Sequence, residues 1–237
     1  MNRWPPVLMY HAVADLPEDP NRISVGPGSF ERQMDYLRRR GLRGVSMDRL
    51  VRAAASGRGR GLVGITFDDG YADLLHNALP ALERHGFSAT VFVLSEMLGG
   101  ENLWDEGPRM RLLDVAELRE ISGRGIEIGS HGRCHVRLAG LEPERLEEEV
   151  AGSRRRLSEA LGWEVEGFCY PYGSLDAAAA RAVELAGYSY ACSYKERAGH
   201  DSYDIPRLHA GDRDGPTRLA MKLRGFTRYA DMVRGLR

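Results

Sequence analysis

Residues 62–70 read LVGITFDDG. The apolar run Leu62 to Phe67 is a short buried strand, and it ends on two adjacent carboxylates and a glycine. Two carboxylates at the mouth of a buried strand are costly unless something positive shares the site. Gly70 lets the backbone turn so that both can face one cavity. A solvated Asp-Asp-Gly turn would read the same way in isolation, so the rest of the chain has to decide.

Working outward, strand and helix signals alternate. Toward the N-terminus come the turn SGRGRG (56–61), a short helix Asp48–Ala55 and an extended piece at Val45–Ser46. Before these, Ser29 opens a helix whose Phe30, Met34 and Leu37 share one face and which Gly41 ends. A long loop (13–28) precedes it, after an apolar strand Val7–His11. Toward the C-terminus, a helix Ala72–Arg84 bends at Pro80, and a strand Ser88–Leu94 follows. An irregular stretch (96–112) contains Trp104, and Asp114 caps a helix to Ser122. Strands are expected at Ile126–Gly129, Gly167–Tyr170, Tyr188–Tyr194 and Ile205–Ala210. Helices are expected at Pro143–Leu161, Asp176–Ala186, Thr217–Arg224 and Tyr229–Leu236. This alternation implies a parallel sheet, as an open doubly wound fold or a small α/β barrel. No GxGxxG follows a strand, so a dinucleotide fold has no support. A barrel would gather its chemistry at the carboxyl ends of its strands.

At 237 residues the chain reads as one domain (1–237) able to bury a core without disulfides. Its 43% hydrophobic and 28% charged residues exclude disorder. The net charge of -1 argues against a nucleic-acid partner. Only Lys195 and Lys222 are lysines, a bias that reads as genomic rather than functional. Three cysteines without a CxxC favour a reducing compartment. No apolar window is long enough to span a membrane, and MNRWPPVLMYHAV lacks the pattern of a signal peptide, so a cytoplasmic location is expected.

Polar residues do cluster after strands. SHGRCH (130–135) follows the 126–129 strand, and on one helical turn His131 and His135 would share a face and chelate one ion. Cys134 falls off that face. One of the two aspartates with the two histidines makes a three-ligand set with an open position, the pattern of a catalytic zinc or similar ion. The other aspartate is then free to act as a base. FCYPYG (168–173) ends another strand, and its Pro171-Tyr172-Gly173 turn can offer an apolar wall and a backbone N–H to a substrate oxygen. VLMYH ends on His11 at the same expected face.

TFDDG, then HxxxH, then Phe-x-x-Pro-Tyr-Gly, in this order over residues 7–210, resembles the polysaccharide deacetylase family, also called NodB-homology or family 4 carbohydrate esterases. The resemblance implies an α/β fold, a distorted (β/α)7-type barrel, and metal-dependent removal of the N-acetyl group of an acetylated amino sugar. By motif match Asp68 would be the general base, Asp69, His131 and His135 the metal ligands, and the Tyr172 N–H an oxyanion donor. Zinc is the expected ion, with cobalt, nickel or iron as alternatives. Many members carry Arg where this chain has Cys169; Arg207, in IPRL, is the expected replacement. Asp201-Ser-Tyr-Asp204 has only a superficial likeness to a fourth motif, with Ile205 in place of Trp. The family's late Leu-x-His strand is matched by VLMYH at the start of the chain, a circular permutation that would make His11 the acid. His209 is the rival donor. With no leader, a lipid-linked, nucleotide-linked or small glycoside substrate is expected over an extracellular polymer. The rival readings are a same-fold hydrolase of a non-sugar amide or cyclic ureide, and a non-catalytic sugar-binding module.

Overall fold

The computed structural model describes residues 4–194 and 201–234, with side chains as far as Gly225. Lys195 and the end of the expected Tyr229–Leu236 helix lie outside the described residues. The strands are β1 (Val7–Tyr10), β2 (Arg43–Val45), β3 (Leu62–Phe67), β4 (Thr90–Val93), β5 (Glu127–Ser130), β6 (Gly167–Cys169), β7 (Tyr190–Cys192) and β8 (Leu208–His209). They pair in parallel, in the order β7-β6-β5-β4-β3-β1-β8, with β2 beside β3. Ile205 bridges Cys192 of β7, while Leu208 and His209 pair with Leu8 and Met9 of β1. The single segment 205–209 therefore touches both ends of the sheet and curls it into a distorted barrel.

The two faces of each strand bury separately, as a period of two requires. Val7, Phe92, Cys169, Tyr190, Cys192 and Ile205 form an inner cluster with Trp4 and with Met47, Leu50 and Ala54 of α2 (Met47–Ala55). Residues of the other parity, such as Leu8, Ile65, Val91, Ile128 and Phe168, pack outward under the helices. The lower end of the barrel is closed by Glu127, which accepts hydrogen bonds from Thr90 Oγ1 (2.6 Å), the Tyr190 hydroxyl (2.7 Å) and the Asp48 N–H at the start of α2 (2.9 Å). A carboxylate there also meets the positive end of the helix. Carried to the upper end, the inward parity continues through His11 after β1, Asp68 after β3 and His131 after β5. It reaches Arg207 two residues beyond Ile205.

The outer helices are α1 (Pro27–Arg39), α3 (Leu79–His85), α4 (Val115–Gly123), α5 (Pro143–Glu147), α6 (Ser153–Leu161), α7 (Ala177–Leu185) and α8 (Pro216–Arg234). Three sequence expectations are corrected here. Helix α1 starts before Ser29: Gly26 is its N-cap and Pro27 its first residue, where the fixed proline φ suits a first turn. The bend at Pro80 is taken up by a π turn, Leu74–Ala78, just ahead of the proline that cannot donate to His76. The two expected C-terminal helices are one, because Gly225 costs a helix only about 1 kcal/mol and no proline follows it. Among the described residues no helix is long and apolar enough to cross a membrane.

Candidate active site

Asp68 and Arg207 meet inside the upper mouth of the barrel. Arg207 donates from Nη1 to Asp68 Oδ1 (2.6 Å) and from Nη2 to Oδ2 (2.7 Å), a two-pronged pair buried on both sides. Its remaining donors go to Thr66 Oγ1 (3.0 Å), the Ser193 carbonyl (3.2 Å) and Cys169 Sγ (3.0 Å), and its plane lies over the Phe92 ring. Cys169 is small enough to leave room for this guanidinium. Burial pushes the Asp68 carboxyl up, but the charge and hydrogen bonds of Arg207 outweigh it and hold the group below the usual carboxylate range.

Asp69 does not share the inward parity. It enters the mouth because its backbone is left-handed (φ 70°), followed by Gly70 at φ 77°. There Oδ1 lies 3.4 Å from His131 Nε2 and 3.2 Å from His135 Nε2. The two imidazoles are brought together by a loop, not by a helical turn as the spacing suggested: Gly132 (φ 84°) and His135 (φ 58°) both fold back. His131 Nδ1 donates to the Cys169 carbonyl (2.8 Å), which fixes the tautomer and leaves the Nε2 lone pair facing Asp69. Burial raises the Asp69 carboxyl, and the two histidines more than reverse it, holding the group well below its ordinary value.

These three residues fit a divalent metal. Their donor atoms lie within 4.8 Å of one another, and Asp69 Oδ1 is a buried oxygen with no hydrogen-bond partner among the described residues. One carboxylate oxygen with two imidazoles suits zinc and its neighbours and leaves a position open. Asp68, His131 and Cys169 also lie close enough to form a ligand set, but Arg207 already occupies the Asp68 oxygens and Cys169 Sγ. Cys134 belongs to neither set.

A cleft of about 360 Å³ opens above these groups and is lined by His11, Asp68, Asp69, His131, His135 and Arg207. His11 sits beside Asp68 because the Asp68 N–H donates to the Tyr10 carbonyl (3.0 Å) across the β1–β3 ladder. His209 does not line the cleft; its Nε2 lies 3.2 Å from the Arg22 carbonyl, and burial, His11 and Lys222 lower its basicity. Tyr172 lines the cleft with a left-handed backbone (φ 56°), its ring against His135 and its hydroxyl donating to Asp105 (3.1 Å). Pro171, expected to offer a wall to substrate, is instead buried and is not a lining residue; it starts the turn that lifts Tyr172.

Sequence reasoning did not find the loop residues that complete the wall of the cleft. Asn102, Trp104 and Asp105 come from the irregular 96–112 stretch, and Asn21 and Ile23 from the 13–28 loop. Trp104 packs on His135 with ring centroids 4.7 Å apart. The available signal was the tryptophan itself, in a polar stretch where burial did not call for it.

A family model described as polysaccharide deacetylase matches residues 55–191. The chain is similar to a putative polysaccharide deacetylase of Bacillus subtilis, 27% identical over 206 residues, which cover 86% of this chain and 69% of that protein. It is also similar to the poly-beta-1,6-N-acetyl-D-glucosamine N-deacetylase of Staphylococcus aureus, 23% identical over 216 residues, 86% of this chain and 73% of that protein. Among solved structures, the deacetylase PplD of Streptococcus pyogenes, in complex with acetate, superposes with a TM-score of 0.82 at 21% identity, covering 94% of this chain and 99% of that one. IcaB of Ammonifex degensii gives 0.78 at 24% identity, covering 92% and 96%. Both likenesses show the shared fold.

Proposed function

Since this chain belongs to the polysaccharide deacetylase family, we propose that it is a metal-dependent hydrolase that removes the N-acetyl group from N-acetylglucosamine-type sugar units and releases acetate. The observation that carries this reading is the meeting, in one cleft, of a three-donor set and a separate ion-paired carboxylate. A divalent ion held by Asp69, His131 and His135, zinc before cobalt, nickel or iron, would acidify the attacking water and draw charge from the acetyl carbonyl.

The chain's own residues do the rest. Asp68 takes the proton of the attacking water on Oδ1, which keeps a lone pair beyond the one used by Arg207, whereas Oδ2 also accepts from the Cys169 thiol (3.7 Å). Arg207 fixes the plane of that carboxylate. The Tyr172 N–H donates to the developing oxyanion, in a turn shaped by its left-handed backbone. His11 gives a proton to the departing amine, since an amide anion is a very poor leaving group.

Two features favour a sugar chain over the small precursor expected from the sequence. Tyr172 and Tyr194 line the cleft while 40% and 43% exposed, surfaces suited to the C–H faces of consecutive sugars. A relative named as a poly-beta-1,6-N-acetyl-D-glucosamine N-deacetylase points the same way. The test is acetate release across a panel: β-1,6- and β-1,4-linked N-acetylglucosamine oligomers, a nucleotide-linked N-acetylhexosamine, and a cyclic ureide. Release from oligomers rising with length is expected. Turnover of the ureide alone would overturn the reading.

A further inference from the structure

The loop that carries both histidines has no regular structure of its own. Its hold comes from the helix behind it. Between α5 and α6 a π turn, Glu148–Gly152, widens the helix, and Glu149 and Ser153 both reach the loop. Ser130 Oγ donates to Ser153 Oγ (2.9 Å) and accepts from the Gly132 N–H (3.1 Å). Glu149 is 0% exposed, and its Oε2 accepts from two consecutive backbone amides, Arg133 N–H (2.9 Å) and Cys134 N–H (3.1 Å). Arg145 Nη2 stands 3.0 Å from Oε1. Those two amides lie between His131 and His135 in the chain.

We propose that Glu149 is a positioning residue for the metal site: by fixing the amides of residues 133 and 134 it sets the spacing of the two histidine ligands. This rests on the metal reading above. The two histidines depend on it unequally. His131 follows β5 directly and is tied to the Cys169 carbonyl. Among the described residues His135 has no hydrogen-bond partner on Nδ1, and it is steadied by ring contacts with Trp104 and Tyr172. A burial so complete is costly for a carboxylate; here Oε1 faces the Arg145 guanidinium and the hydrogen bonds of Oε2 go to the backbone of the ligand loop rather than to the core. π turns recur at functional sites for this kind of placement.

The test is a competition titration of Zn²⁺ between the full chain and a chromophoric chelator, with thermal melts on the same samples. Glu149→Ala is expected to weaken Zn²⁺ binding on the order of 10–100-fold, the range for partners that orient ligands. Glu149→Gln should recover most of it, because its carbonyl oxygen still accepts both amides. Glu127→Gln, a buried carboxylate at the opposite end of the barrel, should lower the melting temperature yet leave Zn²⁺ affinity unchanged. If Glu149→Ala does not fold, Glu149→Asp replaces it: it keeps the charge but falls one methylene short of the amides, and the same weakening is expected. Wild-type affinity in the folded Ala or Asp variant overturns the proposal, as does equal weakening in Glu127→Gln. A wild-type chain that binds no Zn²⁺ overturns the metal reading itself, and this proposal with it.

Discussion

Arg207 and Asp68 are each nearly lost to solvent, so either one alone would be an uncompensated charge inside the barrel. Arg207→Ala should therefore cost about 3–5 kcal/mol in stability, measurable by denaturant unfolding. Asp68→Asn should lower turnover on the order of 10²–10⁴-fold while the chain keeps its metal, checked by acetate release and elemental analysis. Its melting temperature should also fall, because it leaves Arg207 short of a counter-charge. His11→Ala separates the acid from the rest of the machinery. Hydrolysis of the sugar amide should collapse, whereas an activated phenyl acetate, whose phenolate leaves unprotonated, should be cleaved far closer to the normal rate. Equal losses on both substrates would remove His11 from its role. Much of this was legible at the residue scale. The paired aspartates and HxxxH stand out in the chain, and counting by twos along IPR points Arg207 inward with Ile205. Gly70 signalled that both aspartates could face one cavity, but that Asp69 itself is left-handed was not legible, because such an aspartate leaves no mark in composition beyond the glycine after it.

The elements that hold the site are less regular than their sequences suggest. Helix signals were clear where capping chemistry is explicit. Asp114 and Glu117 form a reciprocal capping box at α4, and Asp176 caps α7 through the Ala179 N–H (2.8 Å). The π turns were invisible, since a five-residue widening leaves the apolar spacing almost intact. The first of them sits next to a clamp on the segment after His11: Asp73 accepts from the Val13 N–H (2.7 Å), and Asn77 donates to the Val13 carbonyl (2.7 Å). Burial raises the Asp73 carboxyl, only partly offset by the Val13 N–H, and the group is pushed up to about 6. The folded state thus holds this proton more tightly than the unfolded state does. The resulting stability is present below about pH 4 and is lost as pH rises through about 6. Asp73→Asn keeps an acceptor for Val13 without the buried charge. It should unfold with a flatter pH profile between 4 and 6, and at pH 8 it should exceed the parent by on the order of 2 kcal/mol. A profile unchanged by the substitution would contradict this account.

At the scale of the molecule, alternation of strand and helix was enough to predict a parallel α/β sheet, the family resemblance chose the barrel over an open sheet, and the structure adds how it closes. A segment of five residues, 205–209, carries a bridge to β7, the buried Arg207 and the pairing with β1, so closure of the sheet and placement of Arg207 are one event. The site's floor was legible because it lies at strand ends, where period-two patterning and topology fix direction. The loop part of its wall was not, because Asn21, Asn102, Trp104 and Asp105 come from loops without a period to read. The floor holds a carboxylate with a fixed counter-ion beside two imidazoles gathered around one carboxylate oxygen that has no hydrogen-bond partner among the described residues, an arrangement that makes sense as a hydrolytic metal centre. The most direct measurement is acetate release from an N-acetylglucosamine oligomer by protein stripped with a chelator and titrated back with Zn²⁺. Activity should vanish on stripping and return in proportion to added metal, levelling at about one ion per chain as a single Asp-His-His site requires. Undiminished acetate release by the stripped protein would contradict the account.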